Sequence, residues 1–183
     1  MDKLTIEYSG GLFELAEEEG LSEELLSQVR TLKKVFADTP GYIQLMTSPR
    51  VLKEEKASLL KESFEGKVHP YLYNFICLMA DRGYFSSIPA CFERYEELYR
   101  ETRGIIRVKV TSATAMTDKQ KQKVIAAIEK KTGKRAEPLF LVDAALLAGL
   151  RVQTDGALYE NSAKSKLEEV RRLLDTAVTG DNT

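Results

Sequence analysis

The side chains able to bear chemistry in this sequence are few and scattered. Its one histidine, His69, stands immediately before Pro70 in a turn-like dipeptide, where it reads as a polar turn residue with no nucleophile beside it. The two cysteines, Cys77 and Cys91, occupy apolar positions of helical patterns, and the cation within a helical turn of either is Arg94. They read as buried thiols, with a disulfide or a reactive thiol as the lesser alternatives. One histidine and two distant cysteines do not supply the clustered ligands of a zinc site. The acidic runs Glu17-Glu18-Glu19 and Glu54-Glu55 fall on solvent-type helix positions, and an all-carboxylate metal site is a formal alternative only. Gly10-Gly11 lies within a helical pattern, not between a strand and a helix as a phosphate-binding loop would. The expectation is therefore no catalytic residue, no cofactor and no metal, and a chain whose work is to bind other proteins.

Composition bounds the partners. The 183 residues are 43% hydrophobic and 30% charged, enough apolar material for a core. The 27 basic and 28 acidic residues leave a net charge of -1, which argues against nucleic acid, since phosphate binding needs a basic surplus. No apolar run approaches the roughly 18 to 20 residues that span a bilayer. Met1-Asp2-Lys3-Leu4 opens directly into a helical pattern without a secretory or transit signature, so a cytoplasmic location without direct membrane insertion is expected.

The elements that must position any binding surface follow from periodicity. Leu4, Tyr8, Leu12 and Leu15 recur at helical spacing until Gly20. Ser22 reads as the cap of a second helix carrying Leu25, Val29, Leu32 and Phe36, closed by Pro40-Gly41. A short turn of helix is expected around Tyr42 to Met46, and Ser48-Pro49 reads as a cap with proline at the first helical position before a helix from Leu52 to about Glu65. His69-Pro70 opens an apolar helix ending at Gly83, and a last helix runs from about Ser86 to Arg103. At Gly104 the period switches. Ile106, Val108 and Val110 alternate with polar residues as in a strand, and Thr117 to Gln120 has the form of a capping box for a helix stopped by Gly133. Leu139 to Val142, Leu150 to Val152 and Ala157 to Glu160 read as further strands, the last two joined by a hairpin at Asp155-Gly156. Ser162 reads as the cap of a final helix with Leu167, Val170, Leu173 and Leu174 on one face. The fold class is α+β overall: an N-terminal six-helix bundle over 1–104, a small α/β domain over 105–178 and a frayed tail over 179–183.

The first helix carries an unexplained cost. Gly10 and Gly11 in mid-helix are each unfavourable by about 0.5 to 1 kcal/mol relative to alanine. They suit either close packing inside the bundle or a groove that receives a partner's helix. Tyr8, one turn earlier on the same stripe, reads either as a core tyrosine with a solvated hydroxyl or as the border of that groove.

Several segments resemble one family. Tyr8 to Ala16 resembles the opening helix of the delta subunit of F-type ATP synthases, the family of the oligomycin-sensitivity-conferring protein, with glycines where alanines are usual. Ser48-Pro49-Arg50-Val51, Asn74-Phe75-Ile76 with Leu78-Met79-Ala80, and Arg103-Gly104 with Val110 to Ala113 resemble its later segments in order. Val142 to Gly149 is similar to the family signature, with Ala148 in place of a usual glycine, and Tyr159 to Leu167 is similar to its last motif, with Asn161 at a usual glycine. The resemblance implies a non-catalytic stator subunit, one copy per complex, at the cytoplasmic face of the bacterial plasma membrane. It would join the alpha subunits of the catalytic head to the b-subunit peripheral stalk and resist rotor torque during proton- or sodium-driven ATP synthesis. It implicates Tyr8, Gly11, Leu12 and Leu15 with Asn74, Phe75, Leu78 and Met79 in a groove for an alpha-subunit helix. Leu146, Leu147 and Leu150 are the expected b-subunit contacts, with the final helix as a second candidate. The competing expectation is a free-standing helical adaptor.

Overall fold

The computed structural model describes residues 2–146, 149–154 and 157–162. The chain divides into two compact units, Met1–Thr102 and Arg103–Thr183. Among the described residues, no helix is long and apolar enough to cross a membrane.

The first unit holds helices α1 (Lys3–Glu18), α2 (Ser22–Asp38), α3 (Pro40–Thr47), α4 (Lys53–Phe64), α5 (Pro70–Asp81) and α6 (Ile88–Arg103), with a short 3-10 turn, Phe85–Ser87, before α6. Asp2 caps α1: its carboxylate accepts the Thr5 backbone N–H at 2.7 Å, and this bonding to Thr5 lowers the Asp2 pKa. Pro70 occupies the first turn of α5, and the His69 Nδ1 atom accepts the Tyr71 N–H at 3.3 Å. Two expected caps differ. Ser22 is the first residue inside α2 rather than its cap, and its buried carbonyl instead accepts the Tyr95 hydroxyl at 3.1 Å. Ser48-Pro49 precedes a turn, and α4 starts later, where the Glu55 carboxylate accepts the Leu52 N–H at 3.0 Å.

The apolar stripes of these helices converge on one core. Phe36 stacks on Phe92 with centroids 6.2 Å apart and meets Phe64 and Phe85 edge-on. Phe13 packs edge-on against the fully buried Tyr95. Polar groups also enter this interior. The buried Glu96 carboxylate lies 2.7 Å from Lys33, 3.3 Å from Arg100 and 3.9 Å from Arg30, and Lys33 also bonds Glu93, so a charge cluster ties α2 to α6.

The second unit is a four-stranded sheet in the order β2-β1-β3-β4, made of β1 (Ile105–Ser112), β2 (Arg135–Val142), β3 (Gly149–Thr154) and β4 (Ala157–Ser162). The parallel pair β1 and β2 is joined by helix α7 (Asp118–Thr132), as a parallel crossover requires. Pro138 sits in β2, an edge strand, where a missing donor is tolerated. The Thr117 and Gln120 capping box starts α7, and Gly133, at φ +66°, ends it with its N–H on the Glu129 carbonyl at 2.8 Å. β3 and β4 pair antiparallel with Thr154 opposite Ala157, the register of a tight hairpin. β4 extends to Ser162, so Ser162 ends a strand. The expected final helix and frayed tail lie outside the described residues.

Candidate functional site

α1 and α5 run side by side and leave a furrow between them. Four residues of α1 border it, Tyr8, Gly11, Leu12 and Leu15, and four of α5, Tyr71, Asn74, Phe75 and Leu78. Each set follows the spacing i, i+3, i+4, i+7, one stripe of an α-helix. Two adjacent stripes on neighbouring helices enclose a groove of about 530 Å³, with Glu7 at its rim. Leu12 and Phe75 form the buried floor, while Leu15 is 37% and Leu78 43% exposed on the walls. Tyr8 is half-buried and leans edge-on towards Tyr84, with centroids 6.1 Å apart. Asn74 is exposed and supplies an amide to an otherwise apolar trough.

The two mid-helix glycines are now placed. A Cβ built on Gly10 or Gly11 would meet nothing within 4 Å. Neither glycine therefore allows a close helix contact inside the bundle, and Gly11 instead opens the groove wall. Met79, one residue beyond Leu78, is fully buried in the core and does not line the groove. Tyr71 and Glu7 were not among the expected residues. Tyr71 lies at the i-3 position from Asn74, so the same periodicity extended by one turn identifies it.

The remaining chemistry-bearing residues are structural. The His69 N–H donates to the Gln28 side-chain oxygen at 2.6 Å, which anchors the start of α5 to α2. Burial pushes the Cys91 thiol up to about 11, and the Asp2 carboxylate adds to the rise. Burial also raises Cys77 above its ordinary value. Both thiols are thus held in the neutral form, the opposite of an activated nucleophile. Among the described residues no group of three or more His, Cys, Asp and Glu side chains is arranged to hold a metal ion.

In the second unit the expected contact residues separate. Leu146 is only 2% exposed: the turn after β2, closed by the Ala145 N–H on the Asp143 carboxylate and the Leu146 N–H on the Asp143 carbonyl, folds it into the interior. Of the three expected b-subunit contacts, Leu146 is thus the one buried within its own unit. Leu147 lies outside the described residues, and Leu150 is half-buried at the start of β3. Among the described residues of this unit, the exposed large apolar side chains are instead on β2, where Leu139, Leu141 and Val142 face solvent.

Comparison with known proteins agrees with this architecture over nearly the whole length. The family model described as ATP synthase delta (OSCP) subunit matches residues 4–174. The ATP synthase subunit delta of Halalkalibacterium halodurans is 31% identical over 169 residues, covering 91% of this chain and 92% of that protein. The ATP synthase subunit delta of a Synechocystis strain is 29% identical over 177 residues, 96% of each chain. A chain of the cryo-EM structure of the Toxoplasma gondii mitochondrial ATP synthase hexamer shares the fold, with a TM-score of 0.73 at 15% identity, covering 94% of this chain and 98% of that one. With a family match spanning both units, the chain belongs to the ATP synthase delta (OSCP) subunit family, a non-catalytic component of that complex.

Proposed function

We propose that this chain is the stator coupling of an F-type ATP synthase. Its helical unit grips the N-terminal helices of the alpha subunits in the catalytic head, and its α/β unit holds the b-subunit stalk. One copy serves each complex, at the cytoplasmic face of a bacterial plasma membrane, during proton- or sodium-driven synthesis. The observation that carries this reading is the α1–α5 groove. It has the paired apolar stripes that suit a third, amphipathic helix, and it leaves Leu15 and Leu78 exposed to water. Burying apolar surface there contributes about 2.5 kcal/mol per 100 Å² before the ordering cost is subtracted.

Such an interface suits a part that must hold against torque. Apolar burial gives slow dissociation and needs neither cofactor nor proton transfer. Two units engaging two parts of one assembly raise the effective concentration of each contact for the other.

The test is retention from a bacterial membrane extract on the immobilised full chain. The native chain is expected to retain both head and stalk subunits. Gly11→Leu, which fills the groove wall without touching the core, is expected to lose the head and keep the stalk. Equal retention of the head by both proteins would reject the groove as the head-binding site.

A further inference from the structure

The charge of the second unit is concentrated on one element. Residues 118–135, from the start of α7 to the first residue of β2, carry seven basic and two acidic side chains, net +5. The remaining residues of 103–183 carry eight of each sign. Within α7 the lysines are ordered. At about 100° per residue, Lys119, Lys123 and Lys130 fall within an arc of about 40°, with Ala126 beside them, and form a ridge about 16 Å long. All four are exposed. Val124 and Ile128 lie on the opposite side of the helix, where they are half-buried and border one cavity with Val152 of β3. Lys121 turns back over the Phe140 ring of β2 at 5.8 Å. The ridge is therefore the line of α7 farthest from the sheet.

The stability of α7 gains nothing from this ridge. Lys119 stands in the first turn, the end of a helix dipole that disfavours a cation, and Lys119 and Lys123 are like charges four residues apart. The acids of the helix are committed elsewhere: Asp118 pairs with Lys121 at 3.1 Å, and the Glu129 carboxylate accepts the Ala136 N–H at 2.9 Å. Among the described residues, none of the three ridge lysines forms an ion pair. Exposed lysines of the first unit differ, since Lys3 pairs with Glu7 and Lys61 with Glu65 along their own helices. Single cations in line on a helix are complementary to carboxylates at the same spacing on a second helix laid alongside. A nucleic acid fits less well, because the ridge offers neither an arginine fork nor an aromatic ring for base stacking and the whole chain is net -1. We propose that the Lys119–Lys123–Lys130 ridge docks an acidic helix of the peripheral stalk. The identity of the partner rests on the stator reading; the place on the second unit and the charge pairing that holds it go beyond that reading.

The test compares three immobilised full-length chains for what they retain from a bacterial membrane extract at about 50 mM salt. The native chain is expected to retain head and stalk subunits. The combined variant Lys119→Glu, Lys123→Glu and Lys130→Glu is expected to retain at least about tenfold less stalk and an unchanged amount of head. The charge-keeping variant Lys119→Arg, Lys123→Arg and Lys130→Arg should retain stalk as the native chain does. The three positions are exposed, and a glutamate at 119 suits the helix dipole, so the unfolding midpoint of the Glu variant is expected at or above the native value. Native stalk retention by a folded Glu variant would overturn the proposal and leave the stator reading intact. Loss of stalk from the Arg variant as well would overturn it too, since charge would not be what holds the partner. A native chain that retains no stalk would overturn both. Duplex DNA binding to the native chain at about 150 mM salt, abolished in the Glu variant, would assign the ridge to nucleic acid instead.

Discussion

Gly11 is the residue on which the groove turns. Its Cβ position is open space, and its backbone is ordinary helix. Adding a methyl group there removes the intrinsic penalty of glycine and meets no neighbour. Gly11→Ala is therefore expected to stabilise the chain by about 0.5 to 1 kcal/mol in denaturant unfolding. A destabilisation would mean that the helix is packed more closely at this point than described. Cys91 makes a second residue-scale prediction. Its folded pKa is raised from 9.0 to about 11, so below pH 9 the thiol is neutral in both states and its contribution to stability is fully present. As pH climbs from about 9 to about 11 the unfolded chain ionises first, and that contribution is lost. The stability difference between the native chain and Cys91→Ala should therefore shrink over that window. A difference that stays constant with pH would contradict the assigned burial.

Between elements, the charge cluster around Glu96 fixes how α6 lies on α2. Its carboxylate faces Lys33, Arg100 and Arg30, and both Glu96 and Arg100 are buried. Glu96→Gln leaves these cations without their shared counter-charge and is expected to cost about 3 kcal/mol in urea unfolding. A cost below about 1 kcal/mol would mean that the cluster is solvated in practice. Most elements were legible in the sequence because each carries its own period: the stripes of α1 and α5, the alternation of β1, the capping box of α7. The groove was legible for the same reason, since its two walls are stripes of single helices. Glu96 was not read, although it sits on the inward face of α6 one turn after Phe92. Arg100 is an i+4 neighbour, but Lys33 and Arg30 are some sixty residues away in the sequence, and no local pattern reports them. The burial of Leu146 was not legible because Ala144 to Leu146 lie in a turn with no period to tell an inward from an outward leucine. Ser22 and Ser48 have the right residue type for caps, but Ser22 lies inside α2, where its carbonyl takes the Tyr95 hydroxyl, and α4 starts at the local Leu52–Glu55 bond.

At the scale of the whole molecule, the near-neutral total conceals two oppositely charged units. Residues 1–102 carry 12 basic and 18 acidic side chains, net -6; residues 103–183 carry 15 basic and 10 acidic, net +5. The α1–α5 groove is apolar, so raising salt from about 50 to 500 mM, which shortens the screening length to a few ångströms, should weaken binding of the proposed alpha-subunit peptide less than twofold. Association of the basic α/β unit with the stalk should fall several-fold over the same range. The reverse ranking would mean that the chemistry of the two interfaces has been exchanged. The proposed role of the furrow between α1 and α5 is to take a helix from the head. It is tested most directly by calorimetric titration of the full chain with a peptide from the N-terminus of the alpha subunit. Saturable binding below about 10 µM, about −7 kcal/mol, is predicted for the native chain, with at least a tenfold loss in Gly11→Leu while its unfolding midpoint stays native. No heat at tens of micromolar, or a Gly11→Leu variant that binds as the native chain does, would contradict it.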